Sequence, residues 1–493
     1  MPIVANFPFL CILFAIIGAV ICSVVNGKIA SYVNIVITAI DLGLSLALCA
    51  YMVNNPTDIT YMMGHFPAPW GNEIRFGPLE ALLATVLTTT ILLIAISERK
   101  HFERDIKPHK LNLFYIMLNL VLASVLALIY TNDIFTAYVF IEINTLCACG
   151  LVMARDTAKT IVASIKYLIM SLLGSGLFLV AVILLYDFTG HLLMVNMHDS
   201  VILLVQENSY ILPLTIISGL IAVAIAIKCA LFPFHSWLPH AYSNAMNGAN
   251  AISSGLILKS YIILLVKIFY RVLGVEVVIQ LQITNILFMF GLAAMIIPSF
   301  FAYKEYSAKR LLAYSSAAQI GYIFVAIGLG TTEGYTAAFF IIMAHTLTKS
   351  MLFVSLEGLM NVSGGSKYIS DLRGSAYRNP LAGFAFTIGA FSMIGFPLLS
   401  GFASKLLLST SSFSVDSKTV FVLIAIAIST ILNALYYMKV LTKIYKKDNT
   451  NCAKEKQSIS AKVTLKLFII INLALGIFYQ YIVKMIELGL KVF

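Results

Sequence analysis

The chain has 493 residues, 60% of them hydrophobic and only 11% charged, with a formal net charge of +11 and a mean hydropathy of +0.94. A soluble domain of that composition would have to expose an apolar surface, so the composition excludes one and indicates a polytopic membrane protein. The basic excess does not point to nucleic acid, because the cations are spread over many loops and not gathered into one patch.

Apolar runs of about 17–25 residues, long enough to cross a bilayer, begin near Phe9, Val33, Ala81, Leu111, Phe135, Ile161, Tyr210, Ala251, Ile283, Leu311, Ala337, Leu381, Val420 and Val463. They predict an all-α membrane protein of about fourteen transmembrane helices. The first run has neither a basic flank nor a small-residue cleavage site and reads as a retained span. Loops after odd-numbered spans carry most of the basic residues, among them Arg99, Lys107, Arg155, Lys309, Arg373 and Lys446. By the positive-inside rule those loops are cytoplasmic, which puts both termini of this multi-pass cell-membrane protein on the outer face. The connections Ser97–Lys110 and Lys446–Lys462 read as solvated cytoplasmic loops, and Asp187–Asn208 as the place of a short surface helix on the outer side.

Five ionisable residues interrupt the apolar runs: Glu142, Lys228, Lys259, Lys349 and Lys405. A charge at mid-membrane costs at least about 2.5–3.5 kcal/mol and persists where it faces a partner or a water-filled cavity. Glu142 needs a cation nearby, and a pair with Lys228 would hold two ionisation states of similar energy, as a proton relay requires. Lysine suits that role because arginine stays protonated. His345 and Lys349 stand four residues apart and share a helix face. Taken singly, an intramembrane lysine such as Lys259, Lys267 or Lys166 serves equally well by pairing with a structural carboxylate or by snorkelling. His235 and His240 flank Trp237 and fit either an interface anchor or a site of proton uptake.

Two runs contain Phe-Pro near their middle, at Phe232-Pro233 in the seventh and Phe396-Pro397 in the twelfth. Proline removes a donor and clashes with the preceding turn, so each run is expected to break into half-helices. They lie five spans apart, an odd displacement that reverses direction through the membrane, the relation expected of inverted-topology repeats. No phosphate loop, dinucleotide fingerprint, nucleophile elbow or zinc motif is present in the sequence, and Cys147-x-Cys149 matches no metal spacing. No cofactor or metal site is expected, nor catalysis by this chain alone.

These motifs resemble one family, the antiporter-like, proton-translocating membrane subunits shared by Mrp-type Na+/H+ antiporters, respiratory complex I and membrane-bound hydrogenases. The resemblance rests on Tyr138-Val-Phe-Ile-Glu142, on Lys228 with Phe232-Pro-Phe-His-Ser-Trp-Leu-Pro239, and on Lys309-Arg-Leu-Leu-Ala-Tyr-Ser-Ser316 with Gln319 and Gly321. It continues through His345 with Lys349 and Pro397-Leu-Leu-Ser-Gly-Phe-Ala-Ser-Lys405, and covers roughly Leu111 to Thr442. It implies helices 1–3 in residues 1–110, two inverted five-helix repeats in 111–275 and 276–445 with helices 7 and 12 broken, and a loop and last helix in 446–493. It also implies Glu142 and Lys228 as a coupling pair, Lys259, His345 and Lys349 as the link between half-channels, and Lys405 as the terminal proton site. A lysine at this last position resembles the D-type Mrp subunit and some complex I subunits, and differs from relatives with glutamate there. The segment His240–Asn250 and Ser307 depart from the family pattern, where an Asp-led, Pro-rich stretch and an Asp are usual.

The reading is a proton-translocating subunit of a multisubunit Na+/proton antiporter, whose partners are other integral membrane subunits, protons, and Na+ if it crosses this chain. A redox-driven complex of the complex I or hydrogenase kind is the alternative. A stand-alone transporter of an organic solute, or a silent scaffold, ranks lower, because the axis is rich in lysine and offers few acceptors for an organic ligand.

Overall fold

The computed structural model describes residues 3–67, 71–206, 210–447 and 458–493. Glu207, Asn208, Cys452 and most of the Lys446–Lys462 connection lie outside the described residues. Helices α1 (Phe7–Val24) and α2 (Gly27–Asn54) lead into a two-stranded antiparallel ribbon, β1 (Ile59–Met62) and β2 (Glu73–Phe76), with Ile59 opposite Phe76. Then follow α3 (Pro78–Asp105), α4 (Leu111–Tyr130), α5 (Ile134–Met153), α6 (Ala158–Thr189), the short α7 (Met194–Gln206) and α8 (Ile211–Lys228). After the short α9 (Trp237–Asn244), the next span is assembled from α10 (Asn247–Ile252), a π-helical turn at Ser253–Ile257, and α11 (Leu258–Ile268). The rest comprises α12 (Val275–Gln280), α13 (Ile283–Lys304), α14 (Ala308–Gly328), α15 (Thr332–Asn361), α16 (Ser375–Arg378), α17 (Pro380–Ile394), α18 (Ser400–Ser412), α19 (Asp416–Ile444), α20 (Ile459–Ile477) and α21 (Tyr479–Val492).

Among the described residues, 13 helices are long and apolar enough to cross a membrane. The run from Leu381 is divided between the shorter α17 and α18. Proline's ring meets the carbonyl four residues earlier. For Pro397 that carbonyl belongs to Met393, and α17 stops one residue later at Ile394, followed by Gly395 at φ +98 and Leu398 at φ +70. The Met393 carbonyl is taken instead by the side-chain amide of Asn433 at 3.3 Å. For Pro233 the carbonyl belongs to Cys229, and α8 ends at Lys228 with Ala230 at φ +59. Trp237 bridges this gap, its indole N–H donating to the Ile227 carbonyl at 3.2 Å.

The spans Asn247–Leu273 and Thr332–Asn361 are enclosed by the others over their apolar length, and Ala308–Gly328 nearly so, whereas α1, α2 and α19 present most of their surface outward. The centre of the bundle is therefore α10–α11, α14 and α15, the helices that carry Lys259, His345 and Lys349.

Part of one sequence expectation is corrected. Ser97–Asp105 is no solvated loop but the last turns of α3, with Glu98 1% and Phe102 0% exposed. Its Glu and Arg residues read as loop by composition, but helix packing against α4 and α15 covers one side of these turns. In the Asp187–Asn208 connection, α7 buries Met194, Met197 and Val201 on one face. At the other end of the bundle α21 packs against α3 and α15; the Arg271 guanidinium lies over the Phe493 ring at 4.5 Å and pairs with Glu80 at 2.7 Å, the Arg271 and Glu80 side chains each 1% exposed.

Candidate functional site

Each of the lysines Lys228, Lys259, Lys349 and Lys405 ends on a neutral oxygen. Lys228, the last residue of α8, donates to the Thr145 hydroxyl at 2.9 Å and faces the Tyr261 ring at 5.3 Å. Thr145 is also 3.4 Å from the Tyr261 hydroxyl, and Asn144 donates to Ser260 at 3.2 Å, so α5 is tied to α11 beside Lys259. Lys259 is 0% exposed and donates to the Ser254 carbonyl at 2.5 Å. The π-helical turn explains that bond, since widening the turn leaves carbonyls without their usual partner four residues on. Lys349, also 0% exposed, donates to the Leu312 carbonyl at 3.1 Å and the Tyr437 hydroxyl at 3.3 Å. Lys405 donates to the Ile394 carbonyl at 2.6 Å and the Thr430 hydroxyl at 2.8 Å. It thus caps the end that Pro397 frees.

His345 sits one turn before Lys349, and neither of its ring nitrogens has a hydrogen-bond partner among the described residues. It lines a cavity of ≈ 10 Å³ with Gln319, Tyr322, Ser392, Ser404 and Lys405, the room one water needs. That cavity joins α15 to the α17–α18 break. Lys259, His345 and Lys349 lie within electrostatic reach of one another, as do Glu142 and Lys228. Among the described residues, no carboxylate forms an ion pair with Lys228, Lys259, Lys349 or Lys405.

Glu142 does not close onto Lys228. On α5 the buried stripe is Ile141, Asn144, Thr145 and Ala148, whereas Glu142 shares the outer stripe with Tyr138 and Leu146 and is half-buried. The string therefore runs from a half-buried carboxylate at one side of the chain, through three enclosed lysines, to the part-buried Lys405 at the other.

His235 is buried beside Phe232, Phe301 and Tyr314, and His240 is exposed in a groove of ≈ 350 Å³ with Lys159 and Lys166. Neither hydrogen-bonds to a lysine of the string. Lys267 is fully buried and donates to the Ile129 and Thr131 carbonyls at the end of α4. The sequence reading missed Glu357, an acid in the last turn of α15 that lies too near the helix end for a mid-span criterion to find, and Glu98, assigned to a loop. It also missed Thr145, Tyr437 and Thr430, whose proximity to lysines leaves no mark in a single sequence.

The NADH:quinone oxidoreductase/Mrp antiporter transmembrane family matches residues 131–432. The chain is 32% identical to NADH-quinone oxidoreductase subunit N of Desulforudis audaxviator over 388 residues, 78% of this chain and 75% of that protein. It is 28% identical to the putative antiporter subunit mnhD2 of Staphylococcus epidermidis over 473 residues, 94% of this chain and 90% of that one. Its fold is shared by a chain of the Mrp complex from Dietzia sp. DQ12-45-1b, with a TM-score of 0.87 at 21% identity over 99% of this chain and 97% of that one. A chain of an archaeal respiratory membrane complex, the membrane-bound sulfane sulfur reductase, superimposes with a TM-score of 0.88 at 23% identity over 100% of this chain and 98% of that one. With the family's pattern spanning both helix breaks and every lysine of the string, the chain belongs to the NADH:quinone oxidoreductase/Mrp antiporter transmembrane family.

Proposed function

We infer that this chain is the proton-translocating subunit of a multisubunit monovalent cation/proton antiporter, with Na+ as the exchanged ion. One observation carries the reading: Lys228, Lys259, Lys349 and Lys405 are each held by hydroxyls or carbonyls and by no carboxylate. A lysine without a counter-ion can pass its proton to a neighbour and take another, whereas one locked in an ion pair resists doing so. Glu142 and Lys228 act as the coupling pair, Lys259, His345 and Lys349 pass protons across the centre, and Lys405 is the terminal site. The half-buried Glu142 and part-buried Lys405 mark the sides where other membrane subunits cover the chain, since lipid against a charge is costly. Residues 111–275 and 276–445 form the two inverted repeats, each with one broken helix. The basic loops face the cytoplasm and both termini the outside, in the cell membrane.

The antiporter reading ranks first because the alignment with the antiporter subunit spans 94% of this chain, against 78% for the oxidoreductase subunit. The higher identity to the latter, 32% against 28%, favours the second reading, the pumping module of a redox-driven complex. Gentle extraction of the native complex, with mass spectrometry of co-purifying chains and an iron assay, separates them. Small hydrophobic partners without iron mean an antiporter, and iron–sulfur or nickel subunits mean the redox-driven complex. Lys228→Ala in an assembled complex is expected to abolish proton movement, and wild-type pH-gradient activity would sink both readings.

A further inference from the structure

A buried polar cluster at the basic face takes no part in the lysine string. His101 approaches Glu98 at 3.3 Å through one ring nitrogen and Asn361 at 2.9 Å through the other. Asn247 donates to Glu357 at 2.7 Å, and Arg104 reaches Glu357 at 3.4 Å and Asn361 at 3.1 Å. Glu98 and Glu357 are only 1% and 4% exposed, while the His101 side chain retains 22% exposure. The charged groups facing this cluster are Arg104 and Asp105 of α3, Lys309 of α14, and Arg155 after α5, which pairs with Asp105.

Two acceptors are left over at the same place. Glu98 Oε1 and Asn247 Oδ1 have no hydrogen-bond partner among the described residues. A buried acceptor without a donor costs about 1–3 kcal/mol. A proton on the Glu98 carboxyl group, or a bound water, supplies the missing donor.

From the cluster a polar seam descends between α15 and the span made of α10, the π-helical turn and α11. The two elements run antiparallel, and their contacts step inward in register: Glu357 with Asn247, Ser350 with the Ala251 carbonyl at 3.4 Å, and Thr346 with the Gly255 carbonyl at 2.7 Å. Gly255 allows this approach, since a Cβ there would lie 2.5 Å from the Ser350 hydroxyl. The seam ends where Lys259 holds the Ser254 carbonyl, beside His345. From Glu357 to Thr346 is eleven residues of helix, about 16 Å, or roughly half the hydrocarbon thickness of a bilayer. These contacts are separate polar rungs across the two elements, and no comparable series leads inward from His235 or His240 among the described residues.

We propose that Glu98, Glu357 and the solvent-reaching His101 form the proton-uptake site of this subunit, which takes protons from the basic-loop side and delivers them along the Ser350–Thr346 seam to Lys259 and His345. The site recruits α3, which lies outside both proposed repeats. The inference rests on the proton-translocating reading above.

The test is antiport in everted membrane vesicles carrying the full complex, with the bath pH varied on the side of the basic loops. Glu98→Gln and Glu357→Gln are expected to lower the rate about tenfold or more at alkaline bath pH, as loss of a proton-transferring group does, and to shift the pH profile. Glu98→Asp should restore both. Wild-type rate and profile in both glutamine variants at equal assembly would overturn the proposal. So would a loss that leaves the profile unmoved and is not repaired by aspartate, because that marks a structural role. If Glu98→Gln fails to assemble, His101→Gln carries the test: its profile shifts if the proposal holds, and an unchanged profile refutes it. Lys259→Met in the same vesicles separates the two levels. If it stays active the translocating reading fails, whereas an inactive Lys259→Met beside unaltered glutamine variants defeats the uptake site alone.

Discussion

Replacing Lys259 with methionine separates what this lysine does for the fold from what it does for transport. The side chain is 0% exposed and its hydrogen bond goes to the Ser254 carbonyl. Methionine of similar length fills the space but leaves that carbonyl without a donor, a loss of about 1–3 kcal/mol. Against it, burying an ammonium carries an effective penalty of several kcal/mol, which methionine removes. The second effect outweighs the first, so Lys259→Met should assemble and show an equal or higher Tm in the detergent-extracted complex. Its Na+-driven proton movement should fall on the order of a hundredfold or more, because no group remains there to carry a proton. Lys259→Arg should be equally inactive, since arginine keeps its proton. A clear drop in Tm for the methionine variant, or transport retained in either, would refute the reasoning.

Breaking the Arg271–Glu80 pair, with both side chains 1% exposed, by Arg271→Met or Glu80→Gln should each destabilise by about 3–5 kcal/mol. Replacing both with apolar residues should recover much of the lost Tm. Gly401→Ala should impair both Tm and transport, because the new Cβ would stand 1.7 Å from the Ser392 carbonyl oxygen, and overpacking of that kind costs about 1–3 kcal/mol or more. The shift would move the α18 turn that carries Lys405. On the basic face, hydrogen bonds from Lys107 and Lys110 hold the Asp156 carboxyl down at about 2. A depressed carboxylate contributes stability above its unfolded value of about 3.9, and the contribution is lost as pH falls through about 2. Asp156→Asn should therefore differ from the parent in Tm near neutral pH, and the difference should close on acidification below about pH 4; a gap that persists through pH 2 would contradict this.

The membrane-spanning architecture was legible in the sequence because apolar runs of bilayer length leave few alternatives, and the rarity of charge within them made Glu142, Lys228, Lys259, Lys349 and Lys405 stand out. The positions of helix failure were nearly legible too, since proline acts on the carbonyl four residues before it and the helices stop at Lys228 and Ile394. Only the tertiary structure decided what each lysine touches. A hydrogen bond from Lys349 to Tyr437, or from Lys405 to Thr430, joins different helices and has no local pattern. Composition also misled at Ser97–Asp105, where charged residues that read as a solvated loop are partly enclosed by neighbouring helices. A single chain records how far each segment can be buried; which buried groups meet is set by how the helices pack.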